Sequence, residues 1–91
     1  MNEMNHEYER GLEAKRLLDN PTLKEALDAI ENAVVQQWED CPARDSEGRE
    51  QLWMLYKLSK KVRYLLEGYV QTGRLAEENM RIAKEERFKF F

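Results

Sequence analysis

A chain of 91 residues with 36% charged positions holds one small domain, and such a domain buries only about 60% of the surface its unfolded chain exposes. Its net charge of -3 does not suit a general nucleic-acid binder, whose whole domain is usually basic. The one Cys excludes an intrachain disulfide and suggests a reducing compartment, and no run reaches the ~18 apolar residues that span a bilayer.

The charge is unevenly spread. Residues 1–50 carry 13 acids and 6 bases, whereas residues 51–91 carry 5 acids and 9 bases. Such polarity can arrange like chains head to tail, or set a basic half on an acidic partner. The segment "MNEMNHEYER" is acidic and polar, unlike a signal peptide. A cytoplasmic location is the expectation.

Few Gly and Pro and many Leu, Glu, Ala, Lys, Arg and Gln favour helix throughout. The expectation is an all-α protein, a single helical domain over 1–91. It is an antiparallel helical hairpin or small bundle with a long third helix and a helical C-terminal tail.

The first helix is expected over 5–18, with Tyr8, Leu12 and Leu18 on its apolar stripe, Leu17 beside it and Gly11 weakening it slightly. "LLDNPTLKEAL" breaks and restarts the chain. Asn20 before Pro21 is one possible N-cap, and Thr22 with Glu25 makes an equally good capping box. The second helix, 21–40, places Leu23, Leu27, Ile30, Val34 and Trp38 on one stripe, and Pro42 ends it. A short loop with Asp45 or Ser46 as cap implies an antiparallel turn.

The third helix is expected over 46–72. Leu52, Leu55, Ser59, Val62, Leu66 and Tyr69 alternate steps of three and four, a heptad seam. Trp53, Tyr56, Leu65 and Val70 widen it to the face of a bundle helix. At ~1.5 Å per residue it spans roughly 40 Å and overhangs the second helix. Its surplus apolar surface is left for the first helix, the tail or another subunit. Gly73 reads as a left-handed cap, followed by a separate helical tail over 74–88.

Constellations that could carry chemistry are weak. Glu39, Asp40, Asp45 and Glu47 surround Cys41, but they lack EF-hand spacing and read as a solvated loop. Cys41 has no nearby base, since the only His is His6, and neighbouring acids disfavour a thiolate. His6 has no second ligand beside it. Arg49 could pair with Asp45, and Arg44 with acids of the loop. No catalytic set, metal site or cofactor is expected, and the chain reads as a non-enzyme.

Two surfaces remain. Lys57, Lys60 and Lys61 share a helix face with Tyr64, a possible nucleic-acid contact that also resembles the wet side of a bundle helix. Arg81, Lys84, Arg87, Phe88, Phe90 and Phe91 form a basic, Phe-rich tail that either folds back or anchors a partner. Self-association is expected through Leu55, Val62, Leu66 and Tyr69, giving a homo-oligomer.

Within residues 14–78 stand Leu18-Asp19-Asn20-Pro21, the Trp38 and Pro42-Ala43-Arg44-Asp45 corner, Glu47-Gly48-Arg49-Glu50 before Leu52-Trp53, and Thr72-Gly73-Arg74-Leu75-Ala76. With these elements the span resembles a group of small, largely uncharacterised proteins of tailed bacteriophages and prophages, which implies the host cytoplasm as location and the virion as a further destination. Genes of this group lie among virion-assembly and packaging genes. The resemblance implies a structural or assembly role, with a virion or packaging protein as partner, and supplies no catalytic motif. Cys41 stands where many relatives carry Ser or Thr, which argues further against a required thiol. A nucleic-acid-binding packaging component and a phage inhibitor of a host defence protein are the alternatives.

Overall fold

The structure, a computed structural model, describes the backbone of residues 3–89 and the side chains of residues 3–87. The chain is all-α. Helix α1 spans Glu3–Asp19, α2 spans Pro21–Asp40 and α3 spans Ser46–Lys89. Helices α1 and α2 follow one another along α3, both antiparallel to it. Residues near Tyr8 lie beside Glu77, those near Leu18 beside Glu67, and Trp38 beside Leu52.

The first break is one residue wide. Asn20 leaves the helical region at φ -73° and ψ 117°. Its Oδ1 accepts from the backbone N–H of Thr22 at 2.9 Å and of Leu23 at 3.1 Å. Pro21 then sits where a helix has no N–H to satisfy. Of the two caps the sequence allowed, Asn20 is the one used.

The second break is the corner. The Cys41 N–H returns to the Trp38 carbonyl at 3.2 Å and closes α2. Asp45 opens α3, its Oδ1 accepting from the Gly48 N–H at 3.0 Å. Arg49 does not take up the expected pairing with Asp45; its guanidinium lies over the Trp38 ring, 4.5 Å from the centroid.

Helix α3 does not end at Gly73. It continues for 44 residues, so the expected third helix and tail are one element. No described Gly has positive φ, which removes the left-handed cap. Gly73 serves a different purpose. A Cβ on it would sit 2.8 Å from the Cα of Gly11 and 3.1 Å from the Glu7 carbonyl oxygen. A Cβ on Gly11 would sit 2.8 Å from the Cα of Gly73. The backbones of α1 and α3 meet where neither residue has a side chain. Ala14 and Ala76, three residues beyond each Gly, are each only 2% exposed.

The core is therefore a thin seam. Among the described residues, Ala14, Leu27, Val34, Leu52 and Ala76 are its buried apolar members, and no large side chain is wholly enclosed. Ser59 is the buried polar member, and its Oγ donates to the Tyr56 carbonyl at 2.8 Å. The molecule measures 72 × 25 × 18 Å with a radius of gyration of 20.0 Å. A compact chain of this length would have about 12 Å.

Candidate interaction surface

Four residues of α3, Leu55, Val62, Tyr69 and Ala76, are spaced by seven and so share one row. The two ends of that row meet different fates. Tyr69 lies under the guanidinium of Arg10, 4.3 Å from the ring centroid, and Ala76 is buried beside the α1 crossing. Leu55 and Val62 are exposed, as are Leu58 and Leu65 one step round the helix. Helix α1 thus covers this side of α3 from about Leu66 onward and leaves Leu55, Leu58, Val62 and Leu65 bare. Of the self-association residues expected from sequence, Leu55 and Val62 lie on the bare half. Leu66 is half-buried, and Tyr69 is engaged within the chain.

Helix α2 is offset to one side of the same stretch. Arg63 donates through Nη2 to Asp28 at 2.6 Å and through Nε to Glu31 at 3.2 Å. These bonds, first that to Asp28, raise the Arg63 pKa further, with the Glu31 charge adding and burial opposing. Beside this clamp, Val34, Val35, Trp38, Leu52, Trp53 and Tyr56 line an apolar cleft of about 200 Å³. Asp28, Glu31 and Val35 therefore lie on one flank of the α2–α3 pair. The helical period puts Ala26, Ile30, Ala33 and Gln37 on the other, the flank of Leu55, Leu58 and Val62.

The basic face is partly folded onto its own helix. Lys57 Nζ lies 4.7 Å from the Trp53 ring centre and Lys60 Nζ 5.2 Å from that of Tyr56. Lys61 is exposed, and Tyr64 is 76% exposed. In the tail, Arg81 pairs with Glu78 and Glu85 one turn to either side. The Glu78 hydrogen bond, foremost, raises the Arg81 pKa, and the same bond holds the Glu78 carboxyl below its usual range. Lys84 and Arg87 are exposed. The Phe88 side chain and residues Phe90 and Phe91 lie outside the described residues.

At the corner, Cys41 Sγ approaches the Asp45 carbonyl oxygen at 3.9 Å, and Asp45 is occupied as a cap. Among the described residues, no group of three His, Cys, Asp or Glu side chains could hold a metal ion. No described helix is long and apolar enough to cross a membrane.

Sequence reasoning did not reach the Arg63 clamp, the Arg10–Tyr69 contact or the alanine row of α2. The Gly crossing did leave a signal. Gly11 and Ala14, like Gly73 and Ala76, are small residues three apart on one helix face. No protein-family model, curated protein or solved structure matches the chain.

Proposed function

We infer that this protein is a non-enzymatic structural or assembly component of a tailed bacteriophage. It acts by self-association and by binding a virion or packaging protein. The observation that carries self-association is the row Leu55–Val62–Tyr69–Ala76, covered by α1 over one half and bare over the other. An apolar helix face of this kind is stable in water only at a cost, and burying it against another chain removes that cost. The phage context rests on the sequence resemblance alone. The tail, with Lys84 and Arg87 exposed, is available for a larger partner.

The test is molar mass in solution by size-exclusion chromatography with light scattering, with absorbance read at two wavelengths. A defined oligomer free of nucleic acid supports the reading, and Val62→Asp should lower its mass. A monomer that carries nucleic acid at low salt and sheds it at high salt would sink it. The Lys57, Lys60 and Lys61 face would then become the site. Mass spectrometry of purified virions and assembly intermediates tests the phage role separately.

A further inference from the structure

The bare half of α3 has a second wall. Ala26, Ile30 and Ala33 on α2 and Leu55, Leu58 and Val62 on α3 share one flank of the helix pair. All six are exposed, Leu58 to 61% and Ile30 to 50%. Gln37 and Gln51 continue the two rows, so the strip carries no charge. The alanines leave it shallow, which lets another backbone come close.

We propose that a second copy of this chain docks here antiparallel, so that α2 and α3 of both copies form a four-helix bundle. This rests on the self-association reading and specifies its partner and geometry. Three observations carry it.

The first is area. The chain exposes 7607 Å², whereas a compact monomer of 10.9 kDa exposes roughly 5,600 Å². The surplus of roughly 2,000 Å² is well above the ~800 Å² each partner gives up in a standard interface. The second is charge. Helix α2 holds five acids and one base, and α3 holds ten bases and seven acids. That complementarity is already used within the chain, most visibly at Arg63 with Asp28 and Glu31. The uncharged flank meets a copy of itself without like-charge repulsion, as a twofold contact requires.

The third is the position of α1, which sets direction. It stands proud of the same side of α3 beyond Leu66. In a parallel pair the two α1 helices would meet and hold the bare halves apart by about two helix diameters, ~20 Å. In an antiparallel pair each bare half meets the other, and each α1 end becomes a shoulder at the partner's corner. Leu58, midway along residues 51–65, then lies near the twofold axis.

The experiment combines light-scattering mass, circular dichroism and disulfide trapping. Wild type should have the mass of two chains. Ala33→Arg and Leu58→Glu should each halve it with helicity unchanged, since both side chains are exposed. Leu75→Glu, exposed elsewhere on α3, should leave it at two chains. On a Cys41→Ser background, Leu58→Cys should cross-link to itself and Leu65→Cys should not. Seven residues from the axis, the two copies of position 65 are ~21 Å apart along the bundle, far beyond disulfide reach.

A wild-type chain that stays at one-chain mass overturns both the bundle and self-association. If Val62→Asp separates the chains but Ala33→Arg does not, self-association stands and the four-helix arrangement falls. Equal cross-linking at positions 58 and 65 makes the pair parallel and overturns the antiparallel bundle.

Discussion

Glycine at two positions of this chain has opposite consequences, although both lie inside α3. At Gly73 an added Cβ meets backbone of α1 at 2.8 Å, and backbone cannot swing aside. At Gly68 nothing lies within 4 Å of the same atom. Gly73→Ala should therefore force α1 away and cost about 1–3 kcal/mol, as overpacking does. Gly68→Ala should stabilise by about 0.4–1 kcal/mol, because it only reduces the freedom of the unfolded chain. Thermal melts of the two variants decide this. For a domain of this size each kcal/mol moves Tm by about 4–8 °C, and the two shifts must have opposite signs. At residue scale, Asn20→Ala should also cost about 1 kcal/mol, because two backbone N–H groups of α2 lose their acceptor.

Among the elements, α2 is held differently from α1. Helix α1 is fixed by a close backbone crossing, whereas α2 depends on Leu27, Val34 and the Arg63 clamp. Arg63→Ala should loosen α2 before α1. Amide exchange around Asp28 and Glu31, in the middle of α2, should quicken while residues around Gly11 keep their protection. The far end of α3 has neither support. Residues 81–87 are all exposed, and local pairs such as Arg81 with Glu78 and Glu85 hold this turn. Its stability should depend on pH through Glu78, whose folded pKa is lowered chiefly by the Arg81 hydrogen bond. A group with a lowered pKa contributes in full above its unfolded value and loses that contribution as pH falls through the folded one. Helicity of this segment should thus decline below the ordinary carboxylate range. Arg81→Gln should remove that acid step, as segment-resolved chemical shifts would record.

At the scale of the whole molecule, shape is the finding with most consequence. A 72 Å rod of 91 residues has too much surface for its volume, and a core whose best-buried members are two alanines. Solution scattering at low concentration should give a radius of gyration near 20 Å for a single chain. A rise in scattering mass with concentration would register the pairing argued above. The charge asymmetry between the halves of the sequence does not become a dipole along the rod. The acidic α1–α2 run lies antiparallel on the more basic α3, so opposite charges sit side by side. Head-to-tail assembly driven by charge loses its basis in this arrangement.

Local chemistry settled much of this architecture. Pro21 and Pro42 cannot continue a helix, Asn20 and Asp45 offer side-chain acceptors, and the apolar spacing of α2 and α3 repeats on a helical period. Those features are short in range, so the sequence alone determined where the three helices start, both breaks between them and the antiparallel corner, although it added a further break at Gly73. What Gly73 does was not local. A glycine after a long helix is a cap or an interior residue depending on what approaches it, and Gly11, 62 positions earlier, approaches it. That contact keeps α3 helical through Gly73 and sets α1 over Tyr69 and Ala76. The same holds for the candidate surface. The heptad row of α3 was legible as a row, but all its apolar members look alike in sequence. Only the tertiary structure decided which half α1 covers and which half stays bare, because burial belongs to the pair of surfaces that meet and not to either one alone.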